Sequence, residues 1–359
     1  MLVWGAATAA ASREHVFEFP QRSVSTLHTH VFLDVPHGSV HLEPSADDQL
    51  HVQGMKRITT EDRERAERLA KITELDVFED ASSCRVVVEI PGAPKRGFWD
   101  WVFGSRENVA VELRVQVPAH VSLHVLTVSA DVFASGVSEA LRVQTTSGDV
   151  QLLDVGARGA YVEVATGRVR VENALGPVTV EGADSNVTLR GIAGHCRVDL
   201  ASGDLEAADL QRNIEVQTQS GDVRLLDLRG NLQLATGSGN AIVRNVRGDV
   251  RAHLAHGSLD LELEPRTGRY YEMTSRTGDL SVRLLGRAPF QLHARAPNGA
   301  LQGSIPGMTY EHNTRHEIRG RVDASGGPHV HLRSDEGNVH VCCPARELSG
   351  GCHARKSRS

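Results

Sequence analysis

A repeat sets the terms for this chain. Residues 143–155 read VQTTSGDVQLLDV, and residues 216–228 read VQTQSGDVRLLDL. A mark residue, usually the Gly of a Ser-Gly-Asp triplet, recurs at Gly148, Gly167, Ser185, Gly203, Gly221, Gly239 and Gly257, first after 19 residues and then every 18. Ala130 lies 18 residues before Gly148. Gly278 and Gly299 follow at steps of 21, and Gly337 lies 38 further on, which reads as two more turns of the same winding. A fixed internal period dictates architecture before any local feature does.

Counted from these marks, five columns are apolar in nearly every copy. Position −7 is held by residues such as Cys196, Ile214 and Leu232, and −5 by Val198, Val216 and Leu234. Position +2 holds Leu205, Val223 and Ala241, +4 holds Ala207, Leu225 and Val243, and +7 holds Leu210, Leu228 and Val246. The −7/−5 and +2/+4 pairs alternate with polar residues, the period of a half-buried strand. Each unit therefore holds two short strands, with one bend at Ser-Gly-Asp and another near Gly176, Gly194, Asn213, Gly230 and Gly248. One such unit cannot bury its apolar face, whereas stacked copies can. The expected fold is all-β: a single-chain parallel β-solenoid of ~18-residue two-strand coils, with like residues about 4.8 Å apart along the stack. Hexapeptide-repeat acyltransferases mark every sixth residue, which these columns do not, and no G-G-x-G-x-D-x-U-x calcium run occurs.

Composition agrees with stacked strands. Only 4 % of residues are aromatic, so the core must be built from Val, Leu, Ile and Ala. The net charge of −6 gives no sign of a nucleic-acid binder, which would carry a basic stripe. No apolar run reaches the length of a membrane-spanning helix. Five cysteines, an odd number, do not make a disulfide framework, and Cys196, on an inward column, reads as a core thiol.

The sequence divides into four parts. Residues 1–14 carry a short apolar run without the basic start of a secretory signal. They read as a flexible start or an eroded signal, which leaves both cytoplasmic and cell-envelope locations open. Residues 15–118 read as a β-rich capping region, with a helix near 60–72 capped by Thr59 or Thr60 and presenting Ala66, Leu69 and Ala70 on one face. HGSVHLE at 37–43 echoes HGSLDLE at 256–262. Residues 119–341 hold the solenoid, and 342–359 form a Cys-containing basic tail. Within the cap, PKRGFWDWVFGSRE (94–107) places Phe98, Trp99, Trp101 and Phe103 beside Lys95 and Arg96. Such a loop either docks on a partner or a membrane interface or plugs the end of the coils.

The VPHGSVHLEP entry, the helical insertion, the ELRVQVP lead-in, the T-x-SGDV repeats and the closing GGPHVHLRSDEGNVHV together resemble the bacterial putative-adhesin family, a β-solenoid domain of unknown function. The resemblance spans about residues 25 to 341. It implies a non-enzymatic β-solenoid tied to cell-surface adhesion, with an unidentified protein or glycan partner, and it supplies no catalytic motif or cofactor.

Three constellations carry chemistry. The position after each mark holds Asp149, Arg168, Asn186, Asp204, Asp222, Asn240, Ser258 and Asp279. A carboxylate row would bind a cation or a sugar, but turn chemistry explains it as well, with each Asp or Asn bonding its own backbone in the bend. Polysaccharide-cleaving β-helices need two acids at a set separation, and Glu163, Asp199 and Glu215 are scattered among basic residues. At the C-terminal end, His329, His331, His340, Cys342, Cys343 and Cys352 are candidate Zn or Cu ligands, although their spacing is not the paired C-x₂₋₄-C of a structural zinc site. The vicinal Cys342–Cys343 pair also suits redox sensitivity. His312 and His316 of HNTRH, in an extended context, read as separated surface residues. The sequence thus supports a binding or structural scaffold, with a carbohydrate-active enzyme or a His/Cys metal module as alternatives.

Overall fold

A computed structural model describes residues 13–25, 29–80, 82–90, 108–286, 288–323 and 327–343. The chain divides into two compact units, 1–170 and 171–359. Both are built from parallel coils, and every inward column position from Leu141 to Leu261 is buried.

In the second unit, strand Cys196–Ser202 pairs in parallel with Ile214–Ser220, then Leu232–Ser238, then Val250–His256. The register is one repeat per coil: Val198 faces Val216, which faces Leu234, which faces Ala252. Leu205–Leu210, Val223–Leu228, Ala241–Val246 and Leu259–Leu263 pair in the same way. The all-β parallel solenoid read from the repeat is therefore the fold.

A sixth inward column lies at −3, where Thr145, Val164, Leu200, Thr218, Thr236 and Leu254 are all buried. Its hydroxyls hide it from a search for apolar residues. Inside the core, Thr145 and Thr218 satisfy them by donating to the carbonyls of Ser147 (2.8 Å) and Ser220 (3.0 Å).

A further corner lies at +6. Asn173, Gly191, Asp209, Asp227 and Asn245 all have positive φ, between 55° and 67°. This left-handed residue resets the side-chain phase: in Val223–Leu228 two successive residues face outward between buried Leu225 and Leu228. Asn and Asp tolerate that conformation best among non-glycine residues. The bend expected near Gly194 and Gly230 is a place of close approach. A Cβ on Gly194 would lie 2.1 Å from the Gly176 carbonyl oxygen.

The end of the second unit departs from the sequence reading. Gly299 does not stack on Gly278. The last strand pair among the described residues, His329–Ser334 and Val339–Cys342, lies between the coil of Tyr270–Thr277 and Leu280–Leu284 and the coil of Phe290–Arg295 and Leu301–Ser304. The corner order in space is Gly278, Gly337, Gly299, with each glycine over the carbonyl of the one before. Strand Glu317–Val322 then closes Phe290–Arg295 in antiparallel fashion, and Met308–Asn313 pairs with Glu317–Val322. Units lengthened after Gly257, so counting could not tell an extra turn from an interposed one.

The first unit has the same device at its start. Strand His30–Pro44 pairs with Ser122–Ser135 on one side and with Ser83–Glu89 and Asn108–Val117 on the other, all in parallel. An early strand thus lies between later ones, and parallel pairing is not confined to residues 119–341. Gly38 of the HGSVHLE echo is in register with Ala130 and is itself a coil corner, with φ 123°.

Antiparallel strands border the outer coil: Gln49–Thr60 on Asn108–Val117, and Glu74–Glu79 on Ser83–Glu89. Such pairing ends a solenoid edge that would otherwise template more strands. The single helix among the described residues, Arg63–Ile72, buries Ala66, Leu69 and Ala70 against Ile58 and Val109. Its cap is Asp62, whose carboxylate accepts the Glu64 N–H at 2.9 Å. Thr59 and Thr60 are not caps, because they finish Gln49–Thr60 opposite Glu14 and Arg13.

Candidate functional site

All three residues of the Ser-Gly-Asp corner have a partner on an adjacent coil. Ser202, Ser220 and Ser238 donate their hydroxyls to the Ala183, Ala201 and Gln219 carbonyls at 3.0–3.3 Å. Gly203, Gly221, Gly239 and Gly257 take φ of 112–127°. The Asp or Asn accepts, through its side-chain oxygen, the backbone N–H of the equivalent residue one coil on. Asp222 N–H bonds Asp204 at 2.8 Å, Asn240 N–H bonds Asp222 at 2.8 Å, and Ser258 N–H bonds Asn240 at 3.1 Å. The ladder ends in Asn338 N–H to Asp279 at 2.7 Å and Ala300 N–H to Asn338 at 3.0 Å. The expectation that these side chains bond their own bend is thus corrected: each fastens the next coil. Where Arg168 interrupts the row, its guanidinium pairs with Asp149 at 2.5 Å and holds that carboxyl below the usual range.

The C-terminal His and Cys residues separate into two sets. His340 and Cys342 lie on Val339–Cys342, where Ser281 and Gln302 flank His340, and Arg283 and Ser304 flank Cys342. The Cys343 thiol sits 3.7 Å from the Gly286 carbonyl, and burial raises its pKa. Cys352 lies outside the described residues, as do Phe98, Trp99, Trp101 and Phe103. Among the described residues, no three His, Cys, Asp or Glu side chains form a group able to hold a metal ion. Cys196 is fully buried, and burial pushes its thiol up to about 12.

His329 and His331 belong to the other set, and the interposed strand gives them a neighbour that sequence spacing concealed. His331 is in register with Glu272 on one side and His293 on the other. Ring centroids lie 5.8 Å apart for His293–His331, 6.0 Å for His329–His331 and 5.8 Å for Tyr270–His331. His293 also contacts Glu317 at 3.0 Å, and the same carboxylate pairs with Arg295. Burial and the two imidazoles lower the His331 pKa, with Glu272 opposing. HNTRH is not continuous strand: Thr314 to Glu317 turn the chain between Met308–Asn313 and Glu317–Val322. His312 and His316 are both exposed, as expected.

Two grooves mark the middle of the second unit. A shallow one of about 600 Å³ is lined by Arg197, Asp199, Gln217, Gln219, Ala235 and Gly237. Arg197 contacts Asp199 of this groove at 2.8 Å and also Glu215 at 3.3 Å. A smaller one of about 250 Å³ runs along the left-handed corner, with Asp209, Asp227, Asn245, Arg229 and Arg247. That corner was readable, since position +6 carries only Asp, Asn or Gly from Asp154 to Asn245.

No curated protein matches the chain. Similar solved structures include a putative cell adhesion protein from Clostridium sporogenes (10 % identity, 93 % of this chain and 100 % of that chain, TM-score 0.19). Two from Parabacteroides distasonis are a putative lipid binding protein (8 % identity, 90 % and 96 %, TM-score 0.24) and a putative adhesin (12 % identity, 93 % and 98 %, TM-score 0.24). At these TM-scores the fold assignment rests on the strand pairing itself. The Toastrack DUF4097 family model matches residues 28–231, more than half of the chain. The protein belongs to the Toastrack DUF4097 family, a domain of unknown function.

Proposed function

We propose that this protein is a non-enzymatic, adhesin-like scaffold at the bacterial cell envelope, which binds a protein or glycan through the outward face of its stacked strands. The ladder of Ser-Gly-Asp corners carries the reading. The side chains with most chemistry per repeat are engaged in fastening coils, and what remains for a partner is a regular sheet face. On that face, positions −6 and −4 line up across coils, as in Arg197, Glu215, Gln233 and Arg251. Phe98, Trp99, Trp101 and Phe103, in a stretch rich in apolar area, are a second proposed contact with a partner or membrane surface.

A carbohydrate-cleaving enzyme on the same fold would need one acid to donate a proton and another to attack or activate water. Asp199 and Glu215 instead both pair with the single Arg197, at 2.8 Å and 3.3 Å.

Cell fractionation combined with protease treatment of intact cells tests the proposal. Protein accessible to protease at the cell surface is the expected result, and recovery only from the cytosol overturns the envelope assignment. Depolymerisation of a polysaccharide that is lost in Asp199→Asn would replace the scaffold with an enzyme.

A further inference from the structure

We propose that the outward face made by strands Tyr270–Thr277, His329–Ser334, Phe290–Arg295 and Glu317–Val322 is a binding site for a linear carboxylated polysaccharide, engaged more tightly in acid. The inference rests on the scaffold reading and adds its ligand class and location.

The first observation is an arrangement of like charges. In one outward column of the sheet Arg197 faces Glu215, and Arg251 faces Glu272. At the interposed coil basic residues face basic residues. Arg333 is in register with Arg295, and His331 with His293. Like charges directly opposite one another destabilise a sheet, so their retention on an outer face points to an anion that separates them. His329 adds a third imidazole beside His331. Arg319 and Arg321 of the closing strand are in register with His293 and Gln291 and are exposed. Three acids are engaged within this face: Glu317 with Arg295 and His293, Asp335 with Arg333, and Glu311 with Arg319. Glu272 faces His331 from the neighbouring strand.

The second observation is what the face lacks. Its outward residues in these four strands are Tyr, His, Arg, Gln, Thr and Glu. A membrane-surface site needs apolar side chains to insert beside its cations, and none stands here. Extended peptides join sheets along an edge, and this is a face. Guanidinium forks match carboxylates in bidentate fashion, and Tyr270 with the imidazoles supplies flat rings for sugar faces. The rows run across strands at a fixed spacing, which suits a repeating chain of sugars.

The pH response follows from the same geometry. His331 lies in register between Glu272 and His293, with Arg319 beyond His293 and with Tyr270 and His329 beside it, and a bound carboxylate favours its protonated form.

The test measures binding of the full chain to polygalacturonate, which stays ionised throughout, at about pH 5 and about pH 8. Affinity about tenfold higher at the lower pH and falling with added salt is expected. His293→Gln with His331→Gln removes that ratio while circular dichroism and the melt at pH 8 stay unchanged. Arg319→Gln with Arg321→Gln, exposed changes that leave the histidines in place, weakens binding at both pH values. An unchanged pH ratio in the histidine variant overturns the site. No binding to polygalacturonate, or preference for phosphatidylserine vesicles or polyglutamate, overturns the ligand class. Any of these failures leaves the scaffold reading to the fractionation experiment, which does not depend on this face.

Discussion

Two glycine substitutions separate the steric demand of stacking from the cost of a left-handed backbone. Gly239 has φ 115°, and a Cβ there would lie 2.1 Å from the Gly221 carbonyl oxygen, 0.9 Å inside the 3.0 Å that real Cβ atoms respect. Gly268 has φ 77°, but nothing lies within 4 Å of its Cβ position. Gly268→Ala therefore pays only backbone strain, about 1–2 kcal/mol. In Gly239→Ala the neighbouring coil must retreat as well. That movement stretches three hydrogen bonds around the corner: Asn240 N–H to Asp222 at 2.8 Å, Val223 N–H to Asn240 at 2.9 Å and Gly221 N–H to Ser238 at 3.2 Å. At about 1 kcal/mol each, added to the strain, the expected loss is about 4–5 kcal/mol. Urea denaturation followed by far-ultraviolet circular dichroism gives both values from midpoint shifts. Equal shifts for the two variants would refute the idea that coil stacking, rather than φ alone, demands glycine at the corner.

Other expectations are quicker to state. Asp222→Asn should melt like wild type because an amide oxygen can accept the Asn240 N–H, as Asn186 and Asn240 already do for their neighbours, whereas Asp222→Ala should cost about 1 kcal/mol. Thr236→Val should stabilise by about 1 kcal/mol, since the Thr236 hydroxyl is buried without a hydrogen-bond partner; a destabilised variant in the same melt would contradict this. Val216→Asp should cost several kcal/mol (about 3 or more) by burying an unpaired charge, and Gln217→Asp little, so matching melts would mean the inward columns are misassigned. The His331 pKa lies below its ordinary 6.5 in the folded protein. Its contribution to stability is then present above pH 6.5 and lost as pH falls below it, so His331→Gln should flatten the melting temperature over that range. Brief alkylation of native protein should modify Cys342 ahead of Cys84 and Cys196, whose thiols burial pushes up to about 11 and about 12; mass spectrometry reads the sites.

What sequence conveys about this protein depends on whether a demand repeats. Val198, Val216 and Leu234 answer the same packing problem at the same interval, so columns and coils were readable without a structure. Thr145 and Thr218 were not, because an inward hydroxyl looks polar until its local acceptor is known. Asp209, Asp227 and Asn245 repeat faithfully, but Asp and Asn are also ordinary surface residues and mark a left-handed corner less plainly than glycine does. The two interposed strands are invisible for a deeper reason. Residues adjacent in space, such as Gly278 and Gly337, are separated by a coil placed elsewhere, and no local period records that exchange. The histidine face is its product: His293 and His331 meet only because strand His329–Ser334 enters between two earlier strands.

That entry also has a consequence for synthesis. The coil of Phe290–Arg295 and Leu301–Ser304 has its parallel partner in residues that leave the ribosome only after it. A chain stalled before residue 329 would hold that coil with no seat, and the apolar ends of Leu280–Leu284 and Tyr270–Thr277 would lie open. That stack can close only when His329–Ser334 and Val339–Cys342 arrive, so copies that end before them are expected to be prone to proteolysis or aggregation through the unfilled gap.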